Sequence, residues 1–233
     1  MNPWCDVVSK EDAIDLPTQV FEKRSVTLNS EEAMAYRVFK QELVLEFGKE
    51  VILGSNALSE IMKLRQLTSG FAYTETGVAI TGHSKLNEMK DLILEIGPTK
   101  QIIIWANFRE EIRQLLEALP NSGALWSGTP DRLDVIDRFK NGQLQYLIAN
   151  PQSAGHGLTF TNCCDTIYYS LNYSFELLKQ SQDRIHRIGQ TRKCTYHYLL
   201  AKGTIDEVIY TALTKKEKLS AVVLNHLKGG RTL

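Results

Sequence analysis

From Ser84 onward, short apolar runs alternate with longer segments whose apolar residues recur every three or four positions, and this alternation limits what the chain can become. Ser84 to Ile96 sets Leu86, Met89, Leu92, Ile93 and Ile96 on one helical stripe, and Gly97-Pro98 ends it. Ile102-Ile103-Ile104-Trp105 is too short for a stable helix and has no polar side, which predicts a strand buried on both faces. The same reading gives a helix over Phe108–Leu119, a strand over Ala124–Trp126 and a helix that starts at Thr129-Pro130 and stops near Asn141-Gly142. Strands over Leu144–Ile148 and Thr166–Tyr169 follow, then a helix from about Ser174 to Ile188 and a last strand over Thr195–Leu200. Thr204-Ile205-Asp206-Glu207 is a capping box that opens a further helix. Strands separated by helices of this length imply βαβ units: an α/β fold with a parallel sheet and helices on both faces. Ligands of such sheets lie beyond the carboxyl ends of the strands, so the loops after Ile148 and Tyr169 are the informative ones.

The upstream part is less regular. Residues 1–27 are weakly periodic and are expected to be connecting chain. A helix capped by Asn29 or Ser30, with Glu31 and Glu32 in its first turn, should run to about Phe47 and stop near Gly48. A second spans Asn56–Thr68, and Gly70–Gly82 reads as a loop or short hairpin. The expected organisation is a connector (1–27), a helical appendage (28–83), the α/β lobe (84–203) and a C-terminal helix (204–233).

Among the 233 residues Lys+Arg and Asp+Glu balance at 27 each, so any nucleic-acid contact has to be local or shared with another domain. Cys5, Cys163, Cys164 and Cys194 form no CxxC pair and no histidine stands at zinc spacing, so reduced thiols and no metal are expected. There is no membrane-length apolar run and no signal-peptide pattern, which predicts a soluble intracellular protein without a membrane partner.

The segment richest in chemistry is Gln180-Ser181-Gln182-Asp183-Arg184-Ile185-His186-Arg187-Ile188-Gly189-Gln190. On a helix, Gln180, Arg184 and Arg187 fall at i, i+4 and i+7, on one stripe, while Leu177, Leu178, Ile185 and Ile188 form a second, apolar stripe that can anchor it. Two guanidinium groups on a rigid element suit a transferring phosphoryl group, because they are always charged and their fork matches phosphate oxygens. Spacing alone is equally compatible with a solvated helix face.

The literal string resembles motif VI of the Swi2/Snf2 family of superfamily 2 helicase-like ATPases, QxxDRxHRxGQ, and matches every fixed position. In register with it, Gln101–Phe108 resembles motif IV, Asn150–Leu158 resembles motif V, and Ala201–Glu207 resembles the family's exit from its last strand. Ile61–Gln66 is similar to the helical segment ahead of the lobe, and Asp15-Leu16-Pro17 to the inter-lobe connector. The resemblance runs from about residue 10 to 220. Two departures stand out. Motif V is one residue short, Ala154-Gly155-His156-Gly157-Leu158, as in annealing helicases and compact bacterial or phage members, and the usual Trp-Asn-Pro is replaced by Asn172-Tyr173-Ser174.

The resemblance implies a second RecA-like lobe. In such motors ATP and Mg²⁺ lie between two lobes, the first supplying the P-loop and the acidic Mg²⁺ site, the second supplying arginine fingers. It assigns the finger role to Arg184 and Arg187, nucleotide contacts to Gln180, Gly155 and Gly157, and orienting roles to Asp183 and His186. The glycines permit close backbone approach; Asn150, Gln152, Ser153 and Asn107 are candidate donors to DNA phosphates. For Asn107 a helix cap, and for His186 a hydrogen-bonded structural histidine, are competing readings. No G-x-x-x-x-G-K-[ST] occurs, and Asp206-Glu207 opens a helix instead of ending a strand. The chain alone is therefore expected not to hydrolyse ATP, and to act on double-stranded DNA with a first lobe in cis or in trans. An RNA-directed superfamily 2 helicase lobe and a non-catalytic module that binds DNA or another ATPase are the alternatives.

Overall fold

The structure, a computed structural model, describes residues 16–42, 44–47, 50–53, 57–154 and 157–215, those at 44–47, 50–53, 57 and 58 by backbone alone. In chain order it comprises β1 (Gln19–Val26), α1 (Ser30–Glu42), β2 (Val44–Phe47), β3 (Glu50–Leu53), α2 (Ala57–Thr68), β4 (Phe71–Tyr73), β5 (Val78–Ile80), α3 (Ser84–Ile96), β6 (Ile102–Trp105), α4 (Arg109–Ala118), β7 (Ser122–Leu125), α5 (Arg132–Lys140), β8 (Tyr146–Ala149), β9 (Asp165–Tyr168), α6 (Phe175–Gln182), β10 (Cys194–Ala201) and α7 (Ile205–Thr214). Six strands form one sheet in the order β1-β10-β9-β6-β8-β7, with every pairing parallel. The RecA-like α/β reading holds, with helices on both faces.

The faces follow from strand alternation. Ile103, Trp105, Leu147, Tyr168, Tyr196 and Tyr198 point to the side covered by α1, α2, α5, α6 and α7; Ile102, Ile104, Ile148, Ile167 and Leu199 point to the side covered by α3 and α4. On the first side a row of rings crosses three adjacent strands. Trp105 stacks on Tyr168 at 6.4 Å between centroids and Tyr168 on Tyr198 at 4.7 Å, each pair directly opposite in register, and Tyr210 of α7 meets Tyr198 edge-on at 5.0 Å. Burial pushes the Tyr168 and Tyr198 hydroxyls well above their ordinary range, so both stay neutral.

Three elements depart from expectation. The stretch read as connecting chain contains β1, which lies parallel to β10 from Gln19↔Cys194 to Val26↔Ala201. As an edge strand it keeps Phe21, Glu22 and Lys23 exposed, which hides its periodicity; Phe21 stacks on Tyr196, and Arg24 ties it to Glu88 (2.5 Å) and Glu95 (2.7 Å) of α3. The first helix ends at Glu42 instead of near Gly48, because Val44–Phe47 and Glu50–Leu53, rich in β-forming residues, pair antiparallel. The helix expected at Thr129 begins one turn later. Thr129 Oγ1 donates to the Ala124 carbonyl and accepts from Trp126 N, while Asp131 caps by accepting from Asp134 N (3.0 Å). Gly70–Gly82 does contain a hairpin, β4–β5. The C-terminal helix is described to Thr214, and the remainder of that expectation lies outside the described residues.

The appendage is joined to the lobe by buried charge. Asn29 and Glu32 cap α1 reciprocally, Asn29 Oδ1 accepting from Glu32 N (2.9 Å) and Glu32 from Asn29 N (3.0 Å). The same carboxylate accepts Ser84 N (3.0 Å) and the Ser84 hydroxyl at the start of α3. A Cβ on Gly82 would sit 2.0 Å from it, so glycine is required there. Deeper, Lys85 of α3 meets Asp206 of α7 at 2.5 Å with both side chains at least nine-tenths buried, and Asp206 also accepts from Thr68 of α2 and Ala201 N.

Removing one partner of a buried ion pair strands the other charge and costs about 3–5 kcal/mol. Lys85→Met is expected to lower unfolding free energy by about that amount in urea titration. Adding Asp206→Asn, which removes the stranded charge but still accepts a hydrogen bond, should return at least ~1 kcal/mol; no recovery would mean that packing, not charge, holds the joint.

Candidate nucleotide and nucleic-acid site

The chain crosses the sheet at a switch point. From central β6 it goes out to β7 and back through β8, then passes over to the far side of β6 to form β9. Because β8 and β9 are parallel, residues 150–164 run from the carboxyl end of one strand to the amino end of the other, and no helix forms among those described.

At the carboxyl end of β8, Asn150 holds the loop. Its Oδ1 accepts Gln152 N (3.0 Å) and Ser153 N (3.2 Å), and its Nδ2 reaches the carbonyls of Ala106 (3.3 Å) and Asn107 (3.2 Å). Gln152 is exposed. Arg132, at the start of α5, donates to the Ser153 and Trp126 carbonyls and so binds the loops after β7 and β8 together. Gly157 has φ +91° with open space where a Cβ would stand, a backbone state that suits glycine. Gly155 and His156 lie outside the described residues.

Asn107 gives both amide hydrogens to Ser170, to its carbonyl (2.9 Å) and its hydroxyl (3.0 Å), and accepts from Asn172 (3.2 Å). Its backbone N–H and that of Phe108 go to Glu111, whose fully buried carboxylate also accepts from Ser69 and Ser170. The helix cap is thus supplied by Glu111, and the Asn107 side chain joins the loops after β6 and β9. Below that second loop lies Arg65 of α2, buried between Phe108 (4.8 Å) and Tyr173 (4.4 Å) and donating to the Leu171 carbonyl. Tyr173, the aromatic retained where the usual Trp-Asn-Pro is lost, serves as one wall of this clamp.

The motif VI segment differs from its expected shape. Ser174 caps α6 by accepting Leu177 N (3.2 Å), but the helix ends at Gln182 with Asp183 as C-cap, and residues 183–189 are turns. Gln180, Arg184 and Arg187 therefore do not share a helical stripe. Past Asp183 the ladder tightens: Arg184 N donates to the Ser181 carbonyl (3.3 Å) and Ile185 N to that of Gln182 (3.4 Å), three residues back instead of four. Neighbouring β10 braces this end of the helix, the Tyr196 hydroxyl donating to the Gln182 carbonyl (3.1 Å) and the Gln182 side chain to the Tyr198 hydroxyl (2.9 Å). Ile185 is buried beneath the turn, whereas Ile188 is 69% exposed and is no anchor. Gln190 closes the turn, donating to the carbonyls of Cys163 (2.8 Å) and Ile185 (3.1 Å) and accepting from Thr191 N and Arg192 N. Gly189, at φ +96°, admits the reversal.

Within the turn, Arg184 Nη1 donates to the Leu158 carbonyl (3.1 Å) and Arg187 Nη1 to Thr159 Oγ1 (3.2 Å), so both guanidinium groups rest on the far end of the 150–164 connection. The Arg184 carbonyl accepts Phe160 N (2.8 Å). Burial, and then the like charge of Arg187, pull the Arg184 guanidinium below its usual range. Arg187 has no acidic partner among the described residues. His186 is buried and bonds the Pro17 carbonyl at 2.8 Å, a structural tie to the chain ahead of β1. Asp183 faces Lys179 at 3.7 Å, and Gln180 donates to Glu176 on its own helix (3.1 Å), not to either arginine. Cys163, Cys164 and Cys194 are free thiols, and burial raises Cys163 well above the ordinary thiol range.

Residues 84–189 match the family of the helicase conserved C-terminal domain. In sequence the chain is similar to protein p41 of Acyrthosiphon pisum secondary endosymbiont phage 1, at 26% identity over 93% of this chain and 48% of that protein. It is also similar to the DNA annealing helicase and endonuclease ZRANB3 of Mus musculus, at 34% over 42% of this chain and 9% of that protein. In structure it is similar to the C-terminal part of the Fun30 ATPase domain, with TM-score 0.70 and 16% identity over 92% of this chain and 99% of that one. The Sulfolobus solfataricus SWI2/SNF2 ATPase core, solved with double-stranded DNA, gives TM-score 0.60 and 23% identity over 95% and 49%. Residues 84–189 thus carry a helicase C-terminal domain, in a fold shared with the Fun30 and SWI2/SNF2 ATPase structures. The chain spans about half of the phage relative and about a tenth of ZRANB3. No helix of the lobe is long and apolar enough to cross a membrane among the described residues.

Of the contacts that organise the lobe, Arg65, Arg132 and Gln190 were assigned no role from sequence. A charged-group hydrogen bond contributes about 1.5–3 kcal/mol, and a desolvated cation–π pair ~2 kcal/mol. Arg65→Ala is expected to destabilise by about 3 kcal/mol in chemical unfolding, and Arg65→Lys to recover less than half, since an ammonium cannot stack flat between two rings. Full recovery by lysine would remove the stacking account.

Proposed function

We propose that this lobe is the ATP-sensing half of a motor that translocates on double-stranded DNA and remodels what is bound or paired there. The observation that carries the reading is the pair Arg184 and Arg187. Two like charges are held close together, one largely buried, at the end of a connection whose other end is the loop of Asn150, Gln152 and Ser153. A polyanion at the pair relieves their mutual repulsion, and the γ-phosphate of ATP is such a group. When bound, ATP supplies the phosphoryl group and Mg²⁺ neutralises its oxygens; both are held mainly by a first lobe in cis or in trans. Asp206 is spent on Lys85 and Thr68, so this chain's own Asp-Glu pair is not offered to the metal.

The roles of the remaining residues follow. Arg187, exposed, reaches the phosphate, and Arg184 stiffens the turn and adds charge behind it. His186 and Asp183 orient the turn, and Gln180, on the exposed side of α6, faces the inter-lobe gap. Gly155 and Gly157, having no side chain, are the residues that let the backbone approach the nucleotide closely. Gln152 and Ser153 are the free donors to a DNA phosphate, while Asn150 and Asn107 fix the loops that present them. A nucleotide-dependent shift of the turn reaches the DNA loop through residues 150–160. The DNA-annealing and chromatin-remodelling names of the relatives agree with a duplex substrate.

The test is ATP turnover by this chain combined with a first lobe, with duplex DNA, single-stranded DNA or RNA added. Arg187→Ala is the variant of choice because its side chain is exposed. Turnover should require both lobes and duplex DNA, and the variant should lose about 10³-fold or more, as for other arginine fingers. Unchanged turnover by the variant refutes the finger role. Stimulation by RNA alone points to an RNA helicase, and DNA binding without turnover in any mixture to a non-catalytic module.

A further inference from the structure

A second cationic feature lies away from the motif VI turn. Between one face of α1 and the turn after β10 is a pocket of about 380 Å³ lined by Thr27, Tyr36, Arg37, Lys40, Lys202 and Thr204. Arg37, Lys40 and Lys202 make no ion pair among the described residues. Partial burial pulls Lys40 below the ordinary lysine range, with Glu60 opposing. The backbone around it is fixed: Ile205 N donates to the Tyr36 hydroxyl (2.8 Å), Lys202 N to the Val26 carbonyl (3.0 Å), and the Thr204 hydroxyl to Ala201 O (2.7 Å). Three cations with no ion pair among the described residues, around a concavity on a rigid base, form an anion site, and their spread over two elements suits an extended polyanion better than a lone small ion.

The sheet decides which polyanion. All six strands are parallel, so their carboxyl ends lie on one edge. That edge carries the loop of Gln152 and Ser153 after β8 and, three strands away, the turn of Lys202 after β10. At ~4.8 Å per strand the two are about 14 Å apart, which is about four base pairs at ~3.4 Å each along a duplex.

We propose that Arg37, Lys40 and Lys202 form a second phosphate-backbone contact for double-stranded DNA, extending the track from the loop after β8 to the appendage helix α1. This rests on the duplex-DNA reading above and adds to it a site outside the helicase motifs. It also resolves the neutral net charge: the chain holds DNA through few, local, unpaired cations.

The test is fluorescence anisotropy of a labelled 20-base-pair duplex with the full chain, over a range of salt. Each neutralised phosphate adds about 0.9 to the slope of log K against log salt. Arg37→Gln/Lys40→Gln/Lys202→Gln should bind at least tenfold more weakly at 0.1 M salt, with the slope reduced by about 2–3, while its thermal melting stays that of the unmodified chain. Should the triple variant not fold, the single variant Lys202→Gln, at an exposed site, should still reduce the slope by about 1. Equal affinity and slope in unmodified and variant chains overturn the proposal. So does a variant that loses only poly-glutamate binding, which would make the pocket a surface for acidic protein. If the unmodified chain binds no duplex, the motor reading falls as well. If it binds, and Gln152→Ala weakens binding while the cation variants do not, this pocket alone is excluded.

Discussion

A parallel sheet has no face it can leave to water, and the rest of this lobe follows from covering both. On one side α3 and α4 suffice. On the other, five helices share the surface, and the row Trp105–Tyr168–Tyr198 gives them a stiff platform that continues through Tyr210 into α7. The hydroxyl of Tyr198, and that of Tyr196 two residues before it, also bond Gln182, the last residue of α6. The packing that completes the core thus shapes the turn that carries the arginines, and core and site cannot be altered independently there.

The site is spread along the sheet. The loops that join strands β6, β8 and β9 are bound to one another at the carboxyl edge by Asn107, Asn150, Ser170 and Glu111, whereas the arginines lie toward the opposite end. Between the two ends the described residues of 150–160 form no helix. The segment is fixed at Asn150, whose side chain bonds its own loop, and at Leu158 and Thr159, which accept from the two arginines.

Much of this was legible in the sequence. Apolar runs buried on both sides, such as Ile102–Trp105, stand out in any window, and α3 lies where the Leu86–Ile96 stripe and Gly97 put it. The motif VI string identified Arg184 and Arg187 as a pair. Where the reading failed, the deciding partner was distant. β1 is recognisable only through β10, some 175 positions on, and its outer residues are charged because nothing covers them. After Gln182 the ladder turns to bonds three residues back, beside two tyrosines of the next strand, while local periodicity alone favoured a continuous helix. Arg65 looked like one basic residue in an amphipathic helix, and only the fold brings Phe108 and Tyr173 to its two sides. The hairpin β2–β3 followed a helix whose acidic opening was clear but whose end had no strong stop signal before Gly48.

The carboxylate of Glu32 serves two helices, closing its own at Asn29 and receiving the first amide of α3 at Ser84, in a space that the missing side chain of Gly82 leaves open. Each such terminus is worth about 1 kcal/mol, so tilting α1 away from α3 loses both at once. The appendage therefore has no inexpensive hinge at its root. Any force applied to α1 therefore passes undamped into α3, as from a lever fixed to its axle and not from a tethered flap.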